Sequence, residues 1–362
     1  MNKGFTRRQV LKMIAASVTM AALSPVLHAR ARYPSIIPPF PEEKPDPDPG
    51  VLMGRAIHTV AFYEEPSASS TRLETRYRDE SFQITDEVRA PYSRHNDLWY
   101  KTPLGYVHSA WVLPVRVYLP QPLIRDLGEW GFWGQVSQIY TFARAAPSVD
   151  AGAAYRLYGG TVYRVVESLE DEEGTGWYKI ADDYPPKTER YHWVLARDLR
   201  RIPRREMAPI HPFASGKRVE VDLTAQSLTC FERDEIVFTT LVASGLGGDL
   251  ATPRGEMCVL LKQPSRHMAN VPYPGMAEED QPDPSDIFDL PGVPWNIFFD
   301  LSGTAIHGAY WHNDYGIRRS HGCLNVAIEA ARWIYRWINP IAGFEDDFVQ
   351  SNCRVGTPIT IY

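Results

Sequence analysis

Cysteine is scarce. Four residues in 362 (Cys230, Cys258, Cys323 and Cys353) fall far below the density at which disulfides stand in for a hydrophobic core. Basic charge is short as well: 38 Lys and Arg face 44 Asp and Glu, and the first 31 residues hold five of the basic side chains (Lys3, Arg7, Arg8, Lys12, Arg30) and no acidic one. The remaining residues therefore carry a formal charge of −11. Such a chain lacks the basic face that phosphate binding needs, so nucleic acid is not expected as a partner. The apolar run from Met13 to Leu27 is too short to span a bilayer, and no integral membrane span is expected in the mature chain. No cysteine follows that run to take a lipid anchor. Neither H-E-x-x-H nor paired C-x-x-C occurs, so His307, His312, His321 and Cys323 are not expected to form a zinc site, and no metal or cofactor is expected.

What is present describes an exported globular chain. A composition of 44% apolar and 23% charged residues is that of a folded protein, and the length allows two or three domains. Residues 1–31 have a basic start, an apolar stretch, and small residues at Ala29 and Ala31 that suit a signal peptidase. Thr6-Arg7-Arg8-Gln9-Val10-Leu11-Lys12 resembles the twin-arginine export motif, which is expected here over the general secretory route. Residues 32–50 are rich in Pro, Asp and Glu and read as a stiff linker. Export places the mature protein in the periplasm or outside the cell, where a disulfide can form. If one cysteine stays free for chemistry, at most one internal bridge remains. Cys230 and Cys258 lie in alternating apolar stretches and read as core thiols.

From 51 to 118 short β-type runs alternate with turns, and from 132 to 206 the landmarks return: Pro66-Ser67 as Pro147-Ser148, and Trp99-Tyr100-Lys101 as Trp177-Tyr178-Lys179. The repeat is weak but ordered. Both stretches resemble bacterial SH3-like modules, which implies two small β-barrels that position a neighbouring domain or touch the cell wall. The aromatic residues of these landmarks otherwise read as core. Beyond a Pro/Arg linker, Lys217–Leu223, Gln226–Phe231 and Ile236–Ala243 form a β-meander, followed by a Thr252-Pro253-Arg254-Gly255 turn and a strand from Glu256 to Lys262. From Gln263 to Pro294 periodicity is lost. This segment is expected to be a long loop covering a groove.

Chemistry gathers at Ile306-His307-Gly308-Ala309-Tyr310-Trp311-His312 and at Ser320-His321-Gly322-Cys323-Leu324-Asn325. An imidazole near a thiol can take its proton and make it a nucleophile. Gly322 allows a tight turn that would leave the N–H groups of His321, Gly322 and Cys323 converging on one point, as an oxyanion site requires.

These residues resemble the L,D-transpeptidase (YkuD-type) catalytic domain, whose signature is a His-Gly pair, a loop, and Ser-His-Gly-Cys followed by an aliphatic residue and Arg or Asn. The likeness spans 217–362 and implies a mainly β chain: two SH3-like modules, then a β-rich catalytic domain with one helix near its C-terminal end. It implies Cys323 as nucleophile and His307 as base, with the Gly308 carbonyl holding the imidazole. Ser320 and His321 shape the turn, with substrate contact for Ser320 and an acid/base role for His321 as the alternatives. Asn325, Tyr310, Trp311 and Trp295 are candidates for substrate contact or for packing. The implied partners are peptidoglycan stem peptides, as donor and acceptor, in cell-wall cross-linking. L,D-carboxypeptidase trimming and a non-catalytic wall-binding protein are the alternatives. One departure stands out: Ala327 replaces the usual Ser or Thr helix cap, which costs about 1 kcal/mol.

Overall fold

Residues 50–93, 95–184, 188–272, 276 and 281–362 are described by a computed structural model. The expected export segment, and the linker up to residue 49, lie outside the described residues.

The first β unit contains β1 (Val51–Ala56), β2 (Val60–Tyr63), β3 (Arg72–Arg76), β4 (Ser81–Gln83), β5 (Asp86–Arg89), β6 (Leu98–Thr102), β7 (Gly105–His108) and β8 (Val112–Val117). Its sheets have the orders β4-β1-β8 and β3-β2-β7-β6-β5. The second contains β9 (Phe132–Val136), β10 (Tyr140–Arg144), β11 (Ala153–Tyr158), β12 (Val162–Glu170), β13 (Gly176–Tyr184), β14 (Thr188–Leu195) and β15 (Leu199–Arg201), in one sheet of order β11-β10-β14-β13-β12-β9-β15. Strand for strand the two orders coincide, with the long β12 standing where β5 and β4 stand in the first unit. Even the turns agree. Ser67 N–H donates to Glu65 O and Ser70 N–H to Ser67 O, while Ser148 N–H donates to Ala146 O and Ala151 N–H to Ser148 O. The Trp-Tyr landmarks are the reason the repeat survives: Trp99 and Trp177 are fully buried, and Tyr100 and Tyr178 nearly so. No closed barrel forms in either unit among the described residues, so the expected SH3-like barrels are not seen in that form.

The third region follows the short helix α1 (Arg204–Met207) and comprises β16 (Lys217–Asp222), β17 (Ser227–Glu232), β18 (Glu235–Leu241), β19 (Gly255–Cys258), β20 (Leu261–Ala269), β21 (Asp289–Phe298), β22 (Ala305–Gly308), β23 (Leu324–Val326), α2 (Ile328–Trp337), β24 (Val349–Gln350) and β25 (Pro358–Ile361). Two five-stranded sheets, β18-β17-β16-β25-β19 and β23-β22-β21-β20-β24, enclose a core of Val219, Val221, Leu228, Phe238, Ile297 and Leu324. Helix α2 adds Trp333, Ile334 and Trp337 to that core, the spacing of one helical face. Ala327 gives it no side-chain cap. Among the described residues no helix is long and apolar enough to cross a membrane.

Two expectations are corrected here. The stretch Gln263–Pro294 is not a structureless loop, because β20 and β21 pair antiparallel from Leu261↔Phe298 to Ala269↔Asp289. Its prolines hid the pattern, and the second unit covers the hairpin: His267 N–H donates to Asp183 (2.8 Å), and the His267 ring meets Asp182 (2.8 Å). A strand packed on both faces has no alternation to read. Cys258 is not a core thiol but is bonded to Cys353, with 5.3 Å between their Cα atoms. Cys230 remains free and buried.

The described residues from 50 onward pack as one unit. Ile57, Leu113 and Val115 of the first unit and Val293 and Tyr310 of the third share one buried cluster, with Ile139 and Tyr158 of the second packed against it.

Candidate active site

His307 is the penultimate residue of β22 and is 2% exposed. Its Nδ1 lies 3.2 Å from the Gly308 carbonyl, which as an acceptor fixes the proton on Nδ1 and leaves the Nε2 lone pair unprotonated. Strand β22 runs parallel to β23 with Ile306↔Leu324, His307↔Asn325 and Gly308↔Val326 in register. Cys323 immediately precedes β23, half-buried beside the backbone of Ala305. His307 on β22 and Cys323 at the entry to β23 are thus offset by two positions in the register of the adjoining strands.

The turn that presents Cys323 is held from within and behind. Ser320 Oγ donates to the Cys323 carbonyl (2.5 Å) and accepts from Gly322 N–H (3.1 Å). Gly322 has φ +123°, a conformation that side chains disfavour. Thr252 Oγ1 donates to the Gly322 carbonyl (2.8 Å) and accepts from Gly245 N–H (2.9 Å). Leu246 N–H donates to the Ser320 carbonyl at 3.0 Å.

Burial governs the electrostatics. Desolvation pushes the Cys323 thiol up to about 11, opposed by the Ala305 backbone. Desolvation pushes His307 down to about 4, opposed by the Gly308 carbonyl. Both groups are neutral at pH 7, so the resting site holds a protonated thiol and a free imidazole base.

The remaining expected residues divide. Gly322 N–H is engaged by Ser320 Oγ, so it is not a free oxyanion donor as expected. Among the described residues no acceptor engages the N–H groups of His321 or Cys323. The His321 side chain is exposed, its ring tilted against Phe288 at 5.2 Å. Trp311 is half-buried, its ring 5.7 Å from that of His307. Tyr310 does not wall a groove: it is 3% exposed, its hydroxyl donates to the Pro291 carbonyl (3.0 Å), and its own carbonyl accepts from Arg55 (2.5 Å). Trp295 is also withdrawn from any groove, being fully buried against Tyr335 at 5.4 Å. Asn325 is 2% exposed and its amide lies 3.0 Å from His312 Nε2. Because His312 Nδ1 accepts from Asp314 N–H (3.4 Å), Nε2 carries the ring proton. The amide orientation that turns Oδ1 toward it satisfies an oxygen that otherwise has no partner among the described residues.

Sequence reasoning missed three groups. Thr252 was visible as part of its turn, but not as the hydroxyl behind Gly322. His312 was weighed only as a metal ligand, whereas burial pushes it down to about 3, aided by Arg319. Asp314 gave no signal, because its partner His95 lies in another unit of the chain.

A cysteine and a histidine placed this way, in a site without ionised partners, are the equipment of thiol-based acyl transfer. The family model described as YkuD, L,D-transpeptidase catalytic domain, matches residues 216–361. No curated protein matches the chain. Similar solved structures include the L,D-transpeptidase of Xylanimonas cellulosilytica, 23% identical, covering 45% of this chain and 64% of that one, with a TM-score of 0.28. A cysteine-to-serine mutant of the Enterococcus faecium L,D-transpeptidase is 20% identical, covering 42% and 52%, with a TM-score of 0.30. The L,D-transpeptidase from Mycobacterium smegmatis is 18% identical, covering 54% and 99%, with a TM-score of 0.31. The chain thus spans less than two thirds of the first two, and likenesses at these TM-scores carry no argument beyond the family match.

Proposed function

We propose that the chain is an exported peptidoglycan L,D-transpeptidase with Cys323 as nucleophile and His307 as base. The arrangement that carries this reading is the register of β22 and β23, which sets His307 opposite Asn325 with Cys323 leading into the same strand, together with the His307 Nε2 lone pair that the Gly308 carbonyl leaves free. Cys323 Sγ attacks the carbonyl between the third residue of a stem peptide and its terminal D-residue, while the thiol proton passes to His307 Nε2. The N–H groups of His321 and Cys323 receive the oxyanion. The C–N bond then breaks, His307 returns the proton to the departing amine, and a thioester remains. An amine from a second stem loses a proton to His307, attacks the thioester and frees the thiol. Trp311, beside His307, borders the path of the donor, and His321 with Phe288 borders its outer side. Ser320 and Asn325 act by holding the turn and strand. The Cys258–Cys353 bond supports an oxidising compartment, in keeping with an export segment over residues 1–31. The two repeated β units are the SH3-like part of this reading and bring the catalytic region to the wall.

Incubating the protein with a defined tetrapeptide stem tests this. Release of the terminal D-residue together with an acyl adduct on Cys323 by intact-protein mass is expected. Stem dimers identify the transpeptidase, trimmed monomers the carboxypeptidase, and binding to peptidoglycan without turnover would refute both.

A further inference from the structure

The loop from Ala309 to Arg319 joins the base-bearing β22 to the turn that carries the nucleophile, and the first β unit grips it at three points. Arg55, 2% exposed, donates from Nη2 to the Tyr310 carbonyl at 2.5 Å. Asn313 Nδ2 donates to the Tyr100 hydroxyl (3.0 Å) and to the Val112 carbonyl (3.1 Å). The Asp314 carboxylate, 5% exposed, meets His95 Nε2 at 2.9 Å on one oxygen and the Arg319 guanidinium on the other. At Gly316 even a methyl group would press on His95 Cβ, 3.0 Å away. From Asp314 the chain of contacts runs inward: its N–H to His312 Nδ1, His312 Nε2 to the Asn325 amide, and Asn325 paired with His307 across the strands. Asn325 also exchanges both backbone hydrogen bonds with Ala243, at 2.9 and 3.0 Å.

We infer that Asp314 is a positioning residue for Cys323 and His307, and that the first β unit, through His95, is a working part of the active site. This rests on the acyl-transfer reading above for its chemistry, but not for its geometry. A free loop between base and nucleophile would let their spacing wander, and displacements on the order of 1 Å cost about 10²-fold in rate. The grip from outside removes that freedom. Asp314 touches neither reacting group; it acts through His312 and Asn325.

The test uses the full chain with His95→Ala, His95→Gln and Tyr100→Phe, reading kcat and KM for a tetrapeptide stem, Cys323 alkylation by iodoacetamide, and the melting temperature. His95→Ala should lower kcat about tenfold or more with KM nearly unchanged, and should slow alkylation, since the fault is in alignment and not in binding. His95→Gln, which keeps a donor for Asp314, should recover most of the loss. Wild-type kcat and alkylation in His95→Ala would overturn the proposal, as would a His95→Gln variant no better than His95→Ala. If His95→Ala does not fold, Tyr100→Phe decides: it deletes one acceptor of Asn313, and an unchanged kcat counts against the proposal. Should the wild-type protein turn over no stem at all, the acyl-transfer reading fails alone, because alkylation still reports the positioning.

Discussion

The protonation state of Cys323 separates two mechanisms that are often confused. With the thiol at about 11 and His307 at about 4, a preformed thiolate–imidazolium pair is not the resting state. At pH 7 about one molecule in 10⁴ carries the thiolate, against a few per cent for an unperturbed cysteine. The ultraviolet thiolate band, taken as the difference between wild type and Cys323→Ala, should therefore stay absent through neutrality and rise only toward pH 11. Alkylation kinetics complete the argument. Above about pH 4 the imidazole is neutral and below about pH 11 the sulfur keeps its proton, so base-assisted attack should proceed at a nearly constant rate between those limits. His307→Gln removes that route and leaves only the thiolate, whose rate should climb about tenfold per pH unit. The plateau alone cannot discriminate, because an ion pair gives one too. A thiolate band already present at pH 6 to 7 would refute the reasoning, and a plateau that survives in His307→Gln would show that the base lies elsewhere, with His321 the next candidate.

Replacing the nucleophile by Cys323→Ala should abolish turnover and leave the melting transition in place; residual activity above about a few per cent would be incompatible with a single nucleophile. Opening the Cys258–Cys353 link, which closes a 95-residue separation, should lower unfolding free energy by about 4 to 5 kcal/mol on chain-entropy grounds, read from denaturant midpoints of Cys353→Ser. Stability should fall as pH drops below about 6.5. As pH falls from there, the unfolded chain protonates histidines that the fold keeps neutral, His307 to about 4 and His312 to about 3, and stability drops. His267 works in the opposite sense. Burial lowers it, but hydrogen bonds to Asp182 and Asp289 raise it to about 9, so its contribution is complete below 6.5 and is lost as pH rises toward 9, while Lys262, which burial lowers to about 7, regains stability over the same span and offsets that loss; a denaturation midpoint that stays flat between pH 6.5 and 4 would contradict the His307 and His312 assignments. Gly292→Ala should destabilise by about 1 to 3 kcal/mol, since φ is +66° and the added carbon would fall 2.3 Å from the Tyr163 ring; a melting temperature equal to wild type would show that the hairpin and the second unit are not in contact there.

Catalytic chemistry was legible because it is local. His307-Gly308 and Ser320-His321-Gly322-Cys323 carry their roles within a few positions, and the carbonyl that holds the imidazole belongs to the very next residue. The β-meander was legible for the same reason, since Val219 and Val221 alternate with half-buried polar neighbours on one strand. Trp295 and Tyr310 stayed open between packing and substrate contact, because an aromatic residue near a motif looks the same whether it faces substrate or core. The hairpin of β20 and β21 was illegible because its second face is covered by Asp182 and Asp183, far away in sequence. Arg55, His95 and Asp314 illustrate the limit: each is an ordinary polar residue until another unit of the chain is laid against it.

Strand β25 fills the slot between β16 and β19, parallel to the first (Val219↔Ile359, Val221↔Ile361) and antiparallel to the second (Gly255↔Ile361). An inner strand of that sheet is thus supplied by chain made long after its two neighbours, and Ile359 and Ile361 bring buried side chains with them. Until it arrives, β16 and β19 present open edges to each other across a gap. The two repeated β units have no such debt to later sequence, since every strand in their sheets precedes Ile202. Order of synthesis therefore becomes order of assembly. The units that grip the catalytic loop can be folded before that loop exists, and the catalytic region completes itself against a surface already formed.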